Sequence, residues 1–333
     1  MTTSCLRSIL AALLLTVGAA TAHSQIRYVA RMNTQQIRAL DRDKTVIVLP
    51  GGILEQHGPY LPSFADGYRN EWTSQRLAEA IVAKPGWQVV IFPTVPLGVG
   101  GANEIGRKHV FPGTYAVRST TLRAVFMDLA TELGEQGFRW IFVVHAHGAP
   151  NHNRMLQQAC DYFQDVYGGH MVHLTNLRLE PQDVPRRLTD AEENEDGFSV
   201  HAGAWETSWM LFLQPGLVSP HYRNAVPQTG HGWEDLVRLA RAAEWPGYFG
   251  SPRLASAALA ALSIKDEETR IELALKLLDG LGKRTVPRVT DSVIKSEPNI
   301  AIDRDAIERE RRIEAQQRDW LEKHPIPNPE LNP

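Results

Sequence analysis

The sequence predicts an α/β fold in three layers, α/β/α, with a mostly parallel sheet carrying helices on both faces. Three observations predict it. Short apolar runs, rich in β-branched residues, alternate with longer stretches of helical periodicity. The runs are apolar at every position, as strands covered on both faces must be. The metal-capable side chains follow directly after such runs, at the strand ends where open parallel sheets bind their ligands.

Taken in order, Thr45 to Leu49 is a buried strand stopped by Pro50-Gly51-Gly52. Asn70 to Val82 has helical spacing, with Trp72, Leu77, Ile81 and small residues between. Trp87 to Phe92 is the next strand, and Pro93 ends it. Leu122 to Leu133 is an amphipathic helix closed near Gly134 and Gly137. Trp140 to Val144 is a third strand, Asn153 to Val166 a helix, and His170 to Leu174 a fourth strand, with right-handed crossovers throughout. Residues 177 to 200 are polar and acidic and read as a solvated loop near the site. Leu254 to Leu281 reads as one or two helices. Ala301 to Lys323 is a highly charged helix, read as a packing or oligomer arm, with a Pro/Asn-rich tail from Pro325.

The 333 residues are 43% hydrophobic and 22% charged, enough to bury a sizeable core. A formal charge of −3 gives no reason to expect nucleic acid or an anionic membrane as partner. The N-terminus has the form of an export signal: Arg7, an apolar stretch from Ile9 to Val17, then Ala20-Thr21-Ala22. Residues 1–22 are therefore expected to be removed, the mature protein to be secreted or periplasmic, and no membrane anchor to remain. The two cysteines are Cys5, inside that signal, and Cys160, read as a small buried helix residue rather than a nucleophile.

Three stretches concentrate the metal-capable groups. Glu55 and His57 alternate in extended backbone, so both face one side, with Asp66 following. His147 follows the third strand, and His201 and Glu206 lie in His201-Ala202-Gly203-Ala204-Trp205-Glu206-Thr207-Ser208. Carboxylates offset the charge of divalent ions, and imidazoles add borderline-soft nitrogen. For Asp66 taken alone, a helix N-cap is the competing reading.

Glu55-Gln56-His57-Gly58-Pro59-Tyr60-Leu61-Pro62 with Asp66 is similar to the E-Q-H-G-P-H-L-P-x-x-x-D motif of the creatininase (creatinine amidohydrolase) family. Asn103, His109 and Phe111-Pro112-Gly113-Thr114 resemble its loop ending H-x-F-P-G-T, and residues 201–208 resemble its H-A-G-E-x-E-T-S segment. The resemblance covers roughly residues 40 to 215. It implies a three-layer α/β fold with a binuclear zinc or manganese centre, hydrolysis of C–N bonds in cyclic amides and formamides, a small-molecule substrate, and a homo-oligomer, commonly a hexamer. Carried over, Glu55, His57, Asp66 and His147 look like metal ligands, with Asp66 bridging two ions. His201 resembles the proton-transfer histidine, and Glu206 looks like either the remaining ligand or an acid/base group. On this basis residues 23–290 form one metallohydrolase domain and 291–333 a charged C-terminal helix and tail. Two divalent ions can polarise a carbonyl and generate hydroxide near neutral pH, and a histidine can protonate the leaving nitrogen.

This chain departs from the family at several places. His145-Ala146-His147-Gly148-Ala149-Pro150-Asn151 stands where the family has N-G-H-G-G-N. Creatininase itself has a metal-binding Glu where Ala149 stands, so Glu206 is the candidate replacement ligand. Ala204 and Tyr60 also replace family residues, which argues against creatinine as substrate. His145 is read as a hydrogen-bonded structural histidine, with an added ligand or a ligand-orienting group as the alternative. His152, His170 and His173 are read as structural and away from the motifs, and His221 and His231 as candidates to line the pocket. Trp205, Trp209 and Trp233 are read as core. Gly98-Val99-Gly100-Gly101 is read as a tight turn near the site. The functional expectation is a metal-dependent amide hydrolase. Its rivals are lactone or peptide hydrolysis on the same site, or a non-catalytic exported protein that binds a small molecule or a metal.

Overall fold

The structure is a computed structural model that describes residues 26–177, 188–280, 286, 288–289 and 297–332. The expected export signal and the boundary at 290/291 lie outside the described residues, as do residues 178–187 of the acidic loop. Five strands form the sheet: β1 (Ile26–Tyr28), β2 (Thr45–Pro50), β3 (Gln88–Ile91), β4 (Trp140–Val144) and β5 (His170–His173). Their order is β1-β3-β2-β4-β5 and every pairing is parallel.

Alternation along the strands divides the core in two. Val46 and Val48 of β2 and Phe142 of β4 face helices α2 (Ala65–Val82) and α8 (Ala257–Leu278), meeting Leu77, Ile81, Ile271 and Ala274. Ile47, Leu49, Ile141 and Val143 face the other way. There they meet α1 (Thr34–Arg38), α3 (Ser119–Glu135) and α4 (Pro150–Tyr167), through Ile37, Phe126, Leu156 and Phe163. This is the predicted α/β/α sandwich. Cys160 is fully buried in the second of these cores, and burial pushes its thiol pKa up.

Several boundaries differ from the sequence reading. Strand β1 and helix α1 are too short for periodicity to reveal them. Helix α2 starts at Ala65, not Asn70, because its first turn is polar and buried rather than amphipathic. The N-cap is Phe64, so Asp66 lies inside the first turn and is not a cap. The acidic stretch contains a short helix, α5 (Asp190–Asp196), held by a Thr189/Glu192 capping box. Helices α6 (Ala204–Leu213) and α7 (Trp233–Arg241) follow. Within the stretch read as one or two helices, Ala257–Leu278 is the single α-helix α8, preceded by a 3-10 turn at Pro252–Leu254, and the charged C-terminal helix α9 runs Glu297–Lys323.

β2 lies between β3 and β4. The helix after β2 packs on one face and the helix after β4 on the other, so the loops leaving these strands diverge. The crevice between them is the topological switch point of the sheet. Its floor is pinned by close packing. Gly51 donates its N–H to Val144 O at 2.9 Å, and the His145 ring lies so near that a Cβ at Gly51 would fall 1.8 Å from it. Asn70 clamps the loop after β4 with both ends of its amide: Nδ2 donates to Ala146 O at 3.2 Å, and Ala146 N–H donates to Oδ1 at 2.9 Å.

His152 and His173 also belong to this floor, against the expectation that they lie away from the motifs. Val99 N–H donates to His152 Nδ1 at 3.3 Å, leaving His152 Nε2–H to donate to His145 Nδ1 at 3.0 Å. His145 Nε2–H then donates to Leu97 O at 3.0 Å, and His173 Nε2–H to His145 O at 3.2 Å. His152 and His145 must be neutral for their Nδ1 atoms to accept, and His173 Nδ1 is buried without a partner that could take a second proton. Burial and the neighbouring imidazoles push His145 down to about 3, and burial pushes His173 down to about 4. His145 has both ring nitrogens committed to protein partners, the arrangement of a structural histidine.

The sign of the pH effect follows. A neutral buried histidine takes up its proton more readily when unfolded, so its stabilisation is present above the unfolded pKa near 6.5 and is lost as pH falls toward the folded value. Chemical denaturation of the parent and His173→Leu should therefore diverge between pH 6.5 and about 4, the parent losing up to about 3 kcal/mol more than the variant. Parallel pH curves for the two proteins would contradict the neutral-ring assignment.

Candidate metal centre

Six side chains converge at the crevice: Glu55 and His57 from the segment after β2, Asp66 from the first turn of α2, His147 from the loop after β4, His201 from the segment before α6, and Glu206 from its first turn. They form three triads whose ligand-capable atoms lie within 4.8 Å of one another: Glu55/Asp66/His147, His57/Asp66/Glu206 and Glu55/His57/His201. All the residues that the sequence singled out as ligands or proton carriers are brought together.

Asp66 joins the first two triads. Its Oδ2 is 3.0 Å from His147 Nδ1 and its Oδ1 is 3.9 Å from His57 Nε2. Glu55 Oε2 is 3.3 Å from His147 Nδ1, and Glu206 Oε2 is 3.7 Å from His57 Nε2. Glu206 Oε2 thus faces His57 beside Asp66. His201 Nδ1 lies 3.6 Å from Glu55 Oε1 and 3.9 Å from Glu206 Oε2.

Each histidine is oriented by a backbone carbonyl on its far nitrogen. His57 Nδ1–H donates to Glu55 O at 3.0 Å, His147 Nε2–H to Gly100 O at 3.0 Å, and His201 Nε2–H to Gln56 O at 2.6 Å. The remaining nitrogen of each points into the cluster, the pattern that outer hydrogen bonds impose on ligand histidines. The backbone near Glu55 is held in turn by Gln56 N–H donating to Thr114 Oγ1 at 3.1 Å and Tyr115 N–H to Leu54 O at 2.8 Å. The Phe111-Pro112-Gly113-Thr114 loop is therefore scaffold for the Glu55 segment. Gly100 allows the close approach at its carbonyl: its φ is +78°, and a Cβ there would lie 2.8 Å from Ala149 Cβ.

Two buried polar atoms at the centre, His57 Nε2 and Glu55 Oε2, lack a hydrogen-bond partner. Unsatisfied buried polar atoms are costly and need an explanation. Burial raises Glu55 to about 7 against the pull of His147 and His57. Burial works against charge on His147, yet Glu55 and Asp66 lift its pKa to about 10. Burial also opposes the ionised form of Asp66, but the hydrogen bond and charge of His147 hold it at about 2. A field that keeps a proton on a buried imidazole also attracts a divalent cation, and this oxygen–nitrogen donor set suits zinc or manganese. The residues fit a divalent metal. Burial and the adjacent His57 push His201 well down, which leaves it neutral and able to accept a proton.

A cavity of about 280 Å³ opens above the cluster, lined partly by Glu55, His147, His201 and Glu206. Gly100 and Gly101 line it, consistent with a turn near the site. Trp233 lines it while packing, partly buried, against the core around Leu236 and Phe249; Trp209 is buried as expected and Trp205 is exposed. His221 and His231 are exposed and are not among the lining residues. Sequence reasoning missed Asn70 and Glu104. Asn70 falls four residues after Asp66, one helical turn on the same face, and the misplaced helix start hid that spacing. Glu104 lines the cavity with its pKa raised by burial to about 7, and no pattern in the sequence signals it.

A family model described as creatinine amidohydrolase matches residues 30–267. A mycofactocin precursor peptide peptidase of Mycolicibacterium smegmatis is 27% identical over 200 residues, 58% of this chain and 68% of that one. A creatinine amidohydrolase of Pseudomonas putida is 28% identical over 184 residues, 52% and 66% of the two chains. A 3-dehydro-scyllo-inosose hydrolase of Thermotoga maritima is 24% identical over 230 residues, 67% and 69%. Among solved structures, a manganese form of creatininase superposes with a TM-score of 0.54 at 20% identity, covering 78% of this chain and 98% of that one. A Zn–Zn form gives 0.52 at 21% identity over the same shares.

Asn70 provides a test of the scaffold. Asn70→Ala leaves a backbone N–H and carbonyl of the His147 loop unsatisfied, which costs about 1–3 kcal/mol of stability. It should also weaken binding of Zn²⁺ about 10–100-fold by titration calorimetry, although Asn70 does not itself reach the ion. Unchanged affinity in a folded variant would show that the loop holds His147 without the clamp.

Proposed function

The chain belongs to the creatininase family, and on that footing we propose that it is a metal-dependent hydrolase of a C–N bond in a small cyclic amide, formamide or related amide. The observation that carries this reading is the pair of triads sharing Asp66, Glu55/Asp66/His147 and His57/Asp66/Glu206. Fully ionised, the three carboxylates carry a charge of −3, which one divalent ion would offset only in part. We therefore infer two ions, zinc or manganese, one for each triad. Relatives described as manganese and Zn–Zn forms support that choice. Homo-oligomeric assembly and export to the periplasm or beyond are parts of the same proposal, supported by the resemblance and by the N-terminal pattern.

When bound, the ions polarise a carbonyl and make a water more acidic. This chain's residues supply the rest. Glu55, His57, Asp66, His147 and Glu206 hold and charge-balance the ions. His201, with Nε2 tied to Gln56 O, can move a proton only through Nδ1, the atom that faces Glu55 and Glu206. A neutral imidazole there takes a proton as the nucleophile forms and returns it to the leaving nitrogen. Glu206 touches both His57 and His201 and so can act as ligand or as proton relay. The apolar walls at Val99, Ile105, Val200 and Ile302 limit water around the reacting carbonyl. Peptide hydrolysis on the same site is the second reading, supported by the peptidase relative. The cavity volume favours the small amide, since it lies at the lower end of ligand pockets, which run about 300–1,000 Å³.

Metal analysis of the purified protein should find two divalent ions per chain, and His57→Ala should lose at least one of them. Chelation should abolish turnover on a panel of lactams, formamides, lactones and tetrapeptides, and Zn²⁺ or Mn²⁺ should restore it on an amide. Turnover that survives complete metal removal, or no metal uptake at all, would sink the reading.

A further inference from the structure

We propose that helix α9 is a specificity-determining wall of the pocket: Ile302, Asp303 and Ala306 close it against extended chains and leave room only for a compact substrate. The inference rests on reading this cavity as the substrate pocket. The family match ends at residue 267, so α9 lies outside the matched region. It was expected to be a packing or oligomer arm, yet its N-terminal part lies across the cavity and supplies these three lining residues.

The seat is built from three separate elements. Arg154 Nη1 of α4 donates to Asp303 Oδ2 at 2.7 Å. His109, in the loop before α3, places Nε2 2.7 Å from Asp305 Oδ2. Ser119 Oγ at the start of α3 donates to Glu310 Oε1 at 2.7 Å. Ala306 is buried between these contacts at 8% exposure. The polar contacts are charge-assisted and sit at the ends of rigid helices or in a loop braced by them, so the wall has a fixed position. His109 thereby gains a role that its place in the sequence motif did not reveal: it holds the wall.

Size then sets the substrate class. At about 280 Å³ the cavity lies at the lower end of ligand pockets, which run about 300–1,000 Å³, room for a small molecule rather than several residues of chain. Arg154 also donates to Asn151 Oδ1 at 2.9 Å, which fixes the Asp303 carboxylate at the lining. Glu104 contributes a second carboxyl group, and among the described residues no Lys or Arg lines the cavity. A compact molecule fits; an extended peptide does not.

The test needs neither metal nor turnover. Val200→Cys, in a Cys5→Ser background, places one thiol in the lining, while Cys160 stays silent because it is fully buried. Labelling rates with methyl methanethiosulfonate and with fluorescein maleimide are each normalised to free cysteine. In the full chain the compact reagent should react at least about 50-fold faster than the bulky one after normalisation. Adding Asp303→Ala and Asp305→Ala should bring the ratio to within about fivefold of one. A ratio near one in the parent, or one that persists in a folded double variant, overturns the proposal. Ala306→Trp covers the case in which the double variant does not fold: it should slow the compact reagent at least about 10-fold, and an unchanged rate also overturns the proposal. Metal content is measured separately, so failure of the wall and failure of the metal reading are distinguishable.

Discussion

Three carboxylates gathered around one set of histidines, Glu55 and Asp66 buried and Glu206 half-buried, are the constraint on which the rest of the site depends. Glu55, Asp66 and Glu206 repel each other where water screens poorly, and burial of unpaired charge is strongly unfavourable. The fold opposes this with fixed positive ends. Asp66 and Glu206 lie in the first turns of α2 and α6, where backbone N–H groups and the helix dipole favour negative charge. Ala102 N–H donates to Glu55 Oε1 at 2.5 Å, and Ala202 N–H to Glu206 Oε2 at 2.5 Å. The switch point of the sheet is what allows these elements to meet, since the loops after β2 and β4 diverge there.

The same residue type behaves in opposite ways on the two sides of this cluster. His145 and His147 are two residues apart, and burial disfavours charge on both. His147 meets Glu55 and Asp66 and is driven to about 10, while burial and the neighbouring His173 and His147 drive His145 to about 3. One becomes a cation competitor inside the cluster, and the other a neutral brace beneath it. The neutral histidines and the Asn70 amide hold the loop after β4 with directional hydrogen bonds that carry no net charge. The scaffold therefore stays rigid without adding to the electrostatic load above it.

How much of this was legible in the sequence follows from which forces are local. Buried strands were readable because continuous apolar runs have one explanation in a parallel sheet. The clustered ligands were readable because metal-capable side chains concentrate in three stretches and strand ends aim side chains at one edge, and the motif resemblance added roles for Asp66, His201 and Glu206. The start of α2 was not readable. Its first turn carries Asp66, Gly67 and Asn70, placed for the site rather than for a core, so amphipathic periodicity fails where function begins. The brace of His145, His152 and His173 was invisible because its three members come from different elements, and only tertiary packing brings them together. The role of α9 was hidden for a related reason: its charged composition gives a solvated helix, and the contacts of Asp303 and Asp305 exist only once Arg154 and His109 are in place.

The two halves of the centre are not equally secured. Glu55/Asp66/His147 is built from segments that leave the sheet or start a long helix packed on it, and the Glu55 side chain is fully buried. His57/Asp66/Glu206 depends on α6, a ten-residue helix, and the Glu206 side chain keeps 31% exposure. The segment leading into that helix passes through Ala202 at φ +51°, a left-handed conformation that costs a non-glycine residue about 1–3 kcal/mol. That strain is sustained because it turns Ala202 N–H toward Glu206 Oε2 and fixes the carboxylate facing His57. Glu206 thus sits on a shorter helix anchored by a strained turn, whereas His147 sits on the loop after β4 that Asn70 and His145 brace. The first triad is preorganised by the sheet, while the second relies on local backbone geometry to stay complete.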